Sequence, residues 1–157
     1  MRTILSKKVK IRFVNEKVEA LAELLEDDAP NTSVAIWNAL PIRTKVIHDI
    51  WSGHQLFFHL EPLIKLPAEN MLTYLPKVGD IFYYYRPPHY FRGSPYGKVE
   101  AAEIGIVYAR DSRPQGPRGP KAVNVFANLV GSDLQEFART SERVLYEGSK
   151  EIEITRV

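Results

Sequence analysis

The pattern that most constrains this chain sits at its two ends. Over Lys8–Val14, Val9, Ile11 and Phe13 alternate with Lys8, Lys10 and Arg12. Successive strand side chains point to opposite faces, so this segment reads as a strand with one wet and one buried face. Near the other end, Ile152 and Ile154 alternate in the same way with Glu151, Glu153, Thr155 and Arg156. Two half-exposed strands at opposite ends of a chain often pair and close a sheet on itself, which points to a barrel. A chain of 157 residues holds one such core; two would each be small.

Between the ends, Val18–Glu26 fits two periods. Val18, Leu21, Leu24 and Leu25 have helical spacing, whereas Val18, Ala20, Ala22 and Leu24 share one face of a strand. Intrinsic propensity favours the helix. The stretch Asp28–Ser33 carries helix-start chemistry, a side-chain acceptor followed by Pro30. It predicts a helix from Pro30 to Leu40, with Val34, Trp37 and Leu40 as the buried stripe and Pro41 as the stop.

Thr44–Ile50 and His54–Leu60 read as strands around a break at Trp51–Ser52–Gly53. Pro62–Lys77 reads as an irregular crossover with one helical turn near Glu69–Tyr74. Val78–Gly79–Asp80 turns the chain into the aromatic strand Ile81–Arg86. That strand is expected to be buried on both faces or to line a cavity. Ile104–Arg110 is a strand in which Gly105 marks a close approach, and Ala122–Val130 is another. Gly131–Ser132–Asp133 then opens a helix over Asp133–Ser141, faced by Leu134, Phe137 and Ala138. Pro87–Val99 and Asp111–Lys121 are long loops stiffened by proline and glycine, and loops of that length in a compact domain usually carry function. The fold class that follows is mainly β: one domain over residues 1–157, a closed barrel of about eight strands with two short helices covering its ends.

Composition narrows the chemistry. Cysteine is absent, which excludes disulfide frameworks, thiolate catalysis and cysteine-ligated metals. The net charge of +2 and the lack of a recognition motif argue against a nucleic-acid partner. No apolar run approaches the roughly 18 residues of a membrane span, and Met1 is not followed by a signal-peptide core. A cytoplasmic protein with no membrane partner is expected.

Glu23–Leu24–Leu25–Glu26–Asp27–Asp28–Ala29–Pro30–Asn31–Thr32, followed by Trp37 and Leu40, resembles the second strand and first helix of cyclophilins. The later order fits as well: Asn124–Val125–Phe126 in a strand, Gly131–Ser132–Asp133 opening a helix, Lys150–Thr155 closing the sheet. The chain is similar, more closely, to a bacterial family of cyclophilin-like-fold proteins of unassigned function. The matching motifs are Ala29–Pro30–Asn31–Thr32, His48–Asp49–Ile50–Trp51–Ser52–Gly53, Val78–Gly79–Asp80, and Gly119–Pro120 before Val123–Asn124–Val125. The resemblance implies a cyclophilin-like barrel, and it decides Val18–Leu25 in favour of a strand, since sheet context overrides local preference.

Its departures bear on activity. Prolyl isomerases carry a Phe-His-Arg strand whose arginine donates to the prolyl nitrogen, where this chain reads Ile47–His48–Asp49. Their pocket phenylalanine, methionine and glutamine correspond to His54, Gln55 and Phe57, and their pocket histidine to Ala122. Lowering a rotation barrier of roughly 18–20 kcal/mol needs a donor that favours the twisted amide, and an ionised carboxylate is not one. The resemblance therefore implies a re-lined cleft that binds a small molecule or short peptide. A weak or altered prolyl isomerase and a structural homo-oligomer are the alternatives.

The candidate lining is His48, Trp51, His54, Tyr84, Arg86 and His89. Arg86 would supply a bidentate cation, Trp51 and Tyr84 stacking surfaces, and the histidines pH-sensitive donors. The densest aromatic and cationic cluster runs from Phe82 to Arg86 and on through His89, Tyr90, Phe91 and Arg92. Trp51 and the Arg113–Pro120 loop are placed on the opposite rim. The aromatic 87–99 loop offers a surface for association between copies. His48, His54, His59 and Glu61 lie within fourteen residues but match no ligand motif, so no metal and no cofactor are expected. Ser52 beside His54 lacks a Gly-x-Ser-x-Gly elbow and reads as turn chemistry.

Overall fold

The computed structural model describes residues 6–90, 92–95, 99–117, 119–131 and 134–157. Its strands are β1 (Lys8–Phe13), β2 (Val18–Leu24), β3 (Ile42–His48), β4 (Gln55–His59), β5 (Asp80–Arg86), β6 (Ala101–Val107), β7 (Gln115–Gly116), β8 (Gly119–Pro120), β9 (Asn124–Val130) and β10 (Lys150–Arg156). The helices are α1 (Pro30–Ala39) and α2 (Gln135–Glu147). Eight of the strands close into an antiparallel barrel in the order β1-β10-β3-β4-β6-β5-β9-β2, and β7–β8 form a separate hairpin.

The two end strands pair as their alternation requires: Ile11 faces Ile154 and Phe13 faces Ile152, so both apolar rows enter the same interior. β2 is a strand despite its helical propensity, with Val18, Ala20, Ala22 and Leu24 buried and Glu19, Leu21 and Glu23 turned outward. The interior core joins Ile11, Phe13, Leu24, Val46, Leu56, Ile104, Ile106 and Ile152. α2 lies against β2, β3 and β4, with its Phe137 ring centred 5.2 Å from that of Phe13. A second apolar cluster lies apart from this core: Leu75, Phe82, Val107, Val123 and Val125, with Tyr84 packed against it. Gly105 is where the sequence places a close approach: the Phe82 ring lies across it, so that an added Cβ would come within 2.1 Å of the ring.

Several boundaries and faces differ from the sequence reading. α1 buries Thr32, Ser33 and Ile36 rather than a Val34 stripe; Val34 is exposed and Trp37 only partly covered. The reason is polar: Thr32 bonds to Glu69, and the Ser33 hydroxyl reaches the Phe126 carbonyl. No local side chain caps α1, whose N-cap is Ala29. The 69–74 stretch forms no helical turn. Its Leu72 and Leu75 instead make isolated bridges to Val123 and Ser112. β6 begins and ends earlier than expected, β7 and β8 fold part of the 111–121 loop into a hairpin, and α2 extends to Glu147. Ser132 and Asp133, expected to open that helix, and Phe91, Tyr96 and Arg118 lie outside the described residues.

Candidate functional site

A cleft with a volume of about 610 Å³ is built on β5. Alternation divides the tyrosines of that strand. Tyr83 belongs to the interior core, and its hydroxyl donates to the Ile64 carbonyl at 2.6 Å and accepts from the Leu66 amide at 3.1 Å. One buried phenol thus pins the start of the 62–77 crossover. Tyr84 lies on the opposite face and lines the cleft; its hydroxyl hydrogen-bonds to none of the described residues. Tyr85 lines the far end, with its hydroxyl bonded to the Glu100 carboxylate and Lys65 Nζ 5.4 Å from its ring.

Register places a polar row across three strands: His59 of β4 faces Glu103 of β6, which faces Tyr84 of β5. Glu103 is buried, with Lys121 Nζ 3.1 Å from Oε2 and His59 Nε2 3.8 Å from Oε1. The Lys121 ammonium also sits 4.7 Å from the centre of the Tyr84 ring. Burial, then the nearby Tyr90 and Glu103, push the Tyr84 phenol up to about 12, so at neutral pH it is a neutral donor.

Two jaws flank this wall. The first, Leu66–Met71, is tied down by side chains that imitate backbone. Asn70 pairs with Val125 as a strand would, donating to its carbonyl and accepting from its amide, each at 2.8 Å. Asn124 accepts from the Glu69 amide at 2.8 Å and donates to the Pro67 carbonyl at 2.9 Å. Glu69 in turn accepts from the Thr32 amide at 2.8 Å and the Asn31 amide at 3.0 Å, supplying from the crossover the cap that α1 lacks locally. Burial alone would raise the Glu69 carboxyl, but its hydrogen bonds from Thr32 and Asn31 together hold it below its ordinary value.

The second jaw is the β7–β8 hairpin, from which Gly116, Gly119, Pro120 and Lys121 face the cleft. Ser52 holds it: its Oγ accepts from the Gln115 amide at 2.8 Å and its carbonyl from the Arg113 amide at 3.0 Å. Ser112 Oγ completes the tie by donating to Gln55 Oε1 at 2.7 Å. Gly116 is bare where the Lys121 chain passes; a Cβ there would lie 2.9 Å from Lys121 Cε.

Of the sequence candidates, Tyr84 lines this cleft. His48 and His54 line a separate pocket of about 320 Å³ with Tyr108, Glu142 and Tyr146. There His48 Nδ1 lies 2.7 Å from the Asp49 carbonyl and Nε2 2.7 Å from the Tyr108 hydroxyl. Burial is the main cause that pushes the Tyr108 phenol up to about 12. Trp51 is exposed on the turn after β3, Arg86 donates to the Val99 carbonyl at 3.2 Å, and His89 is exposed with φ 56°. Asp49 is spent on its own turn, accepting from the Trp51 amide at 2.7 Å and the Ser52 amide at 2.8 Å. Glu61 lies beyond the end of β4, and among the described residues no three His, Asp or Glu are grouped to hold a metal ion. Glu103 and Lys121 escaped the sequence reading. The signal was a lone carboxylate inside the apolar run Ala101–Val107.

Residues 11–156 match the family described as "Protein of unknown function (DUF3830)". The chain belongs to that family. None of the curated proteins matches it. Among solved structures it is similar to McbB, whose structure is in complex with tryptophan, with a TM-score of 0.63 and 17% identity over 94% of this chain. The chain spans 44% of the length of McbB. It is also similar to the hypothetical protein AF2241 from Archaeoglobus fulgidus, in its solution structure, with a TM-score of 0.57 and 22% identity over 99% of this chain and 98% of that one. At these identities the likeness is one of fold. No helix among the described residues is long and apolar enough to cross a membrane.

Proposed function

We propose that this DUF3830 protein, read as a cyclophilin-like barrel, binds a small molecule or short peptide in the tyrosine-floored cleft. The observation that carries the reading is the joint construction of floor and jaws. A volume of about 610 Å³ falls within the roughly 300–1,000 Å³ of small-ligand sites. Both jaws are tied down by side-chain hydrogen bonds, through Asn124 and Asn70 on one side and Ser52 on the other, so the cleft is preformed and ordering it costs a ligand little. Binding without isomerisation fits the fate of Asp49, whose carboxylate closes a turn and offers no donor. Of the remaining sequence candidates, Arg86 ends β5 and His89 follows it, whereas His48 and His54 belong to the other pocket.

Native mass spectrometry of freshly purified protein tests the reading against Tyr84→Ala. The expected result is an additional mass that accompanies the wild type and is lost from the variant. An adduct retained in full by Tyr84→Ala places the ligand elsewhere. In a protease-coupled assay we expect no acceleration of proline isomerisation above buffer. Acceleration that vanishes on Arg86→Ala would establish the isomerase alternative instead.

A further inference from the structure

The donors and acceptors on the cleft wall are unequally spent, and the imbalance defines the ligand. The acceptor of Asn124 is occupied by the Glu69 amide, and the hydroxyls of Tyr83 and Tyr85 are engaged with Ile64, Leu66 and Glu100. Two donors remain. Tyr84 Oη has no partner among the described residues, and Lys121 Nζ donates to Glu103 and lies 4.7 Å from the centre of the Tyr84 ring. An ammonium carries three N–H groups, so at least one is left over. Glu103 is buried and does not line the cleft, whereas Lys121 does. The pair is therefore a dipole with its positive end forward. Around it the surfaces are apolar or flat: Leu66, Pro67, Ala68 and Met71 on one side, Pro120 and Ala122 on the other.

The geometry points to a carboxylate-bearing ligand with a flat apolar body, its carboxylate accepting from Lys121 Nζ and Tyr84 Oη and its body lying between the jaws. Glu103 acts as a positioning residue: it holds the ammonium over the Tyr84 ring, where one N–H is left for the ligand. This inference rests on the cleft being the ligand site.

Three probes that share one body and differ in charge test it: 2-naphthylacetate, 2-naphthylacetamide and 2-(2-naphthyl)ethylamine. Each is titrated into isotope-labelled full-length protein while the amide signals of Tyr84, Lys121 and Asn124 are followed by NMR. A charge-assisted bond exceeds a neutral one by enough to favour the carboxylate about tenfold over the other two. Lys121→Gln should bring the carboxylate down to the affinity of the amide, and Lys121→Arg should restore most of the difference. Amide signals away from the cleft, read in the same spectra, report whether the fold of each variant is intact. Equal binding of all three probes at these signals overturns the carboxylate inference and leaves the cleft reading standing. Tightest binding by the amine also overturns it. If no probe moves these signals, both fall.

Discussion

Gly105→Ala isolates the contact on which the wall beneath the cleft is built. An added Cβ would meet three atoms of the Phe82 ring, at 2.1, 2.4 and 2.6 Å, all far below van der Waals contact. The ring is buried and sits in one cluster with Leu75, Val107, Val123 and Val125, so it has little room to yield. Overpacking a closed site of this kind costs about 1–3 kcal/mol, and three simultaneous clashes place this one near 3. For a domain of this length that lowers Tm by about 6–12 °C. Gly105 does not occupy the left-handed region, so alanine is otherwise tolerated there and by itself stabilises by about 0.4–1 kcal/mol through the unfolded chain. Phe82→Leu removes the ring atoms that clash. In that background Gly105→Ala should therefore be neutral or mildly stabilising, giving a coupling energy of about 3 kcal/mol. Denaturant melts of the wild type, both single variants and the double variant measure it. An equal cost in both backgrounds, or a cost below about 0.5 kcal/mol in the wild type, would refute the packing argument.

Other perturbations test the remaining supports. Glu69→Gln should cost about 1 kcal/mol as a lost helix cap. Because the folded carboxyl lies below its ordinary value, its contribution is present above the unfolded pKa and fades as pH falls through the folded one. Thermal melts across acid pH should show wild type and variant converging as pH drops. Asn70→Ala strips both partners from the Val125 backbone and should destabilise by about 1–3 kcal/mol, with hydrogen exchange quickening across 66–72. Tyr84, Tyr85 and Tyr108, each pushed up to about 12, should ionise late in an ultraviolet titration of the phenols. Their raised pKa values give stability that is complete below the unfolded value near 10 and is lost as pH climbs toward 12.

Much of the barrel was legible because strand period is a local signal. The alternations at Val9–Phe13 and Ile152–Ile154 sufficed to pair the chain ends. The β2 assignment needed more than local physics, because Val18–Leu24 fits both periods and the sheet decides between them. The face of α1 was not legible: Thr32 and Ser33 are buried because Glu69 and the Phe126 carbonyl satisfy them from distant segments. The site was legible in part. The aromatic run of β5 announced Tyr84, but Lys121 lies eighteen positions from Glu103 in sequence, and the two meet in a barrel where β5 pairs with both β6 and β9. The resemblance sets Asp49 where prolyl isomerases carry their arginine, yet a carboxylate three residues before Ser52 finds its own turn amides first.

Hydrogen exchange read by mass spectrometry, with and without saturating 2-naphthylacetate, tests the tyrosine-floored cleft most directly. Slowed exchange is expected in segments 66–71 and 115–121, the two jaws. Slowing confined to 48–54 and 142–146, around His48 and Tyr108, or an unchanged exchange map, would contradict it.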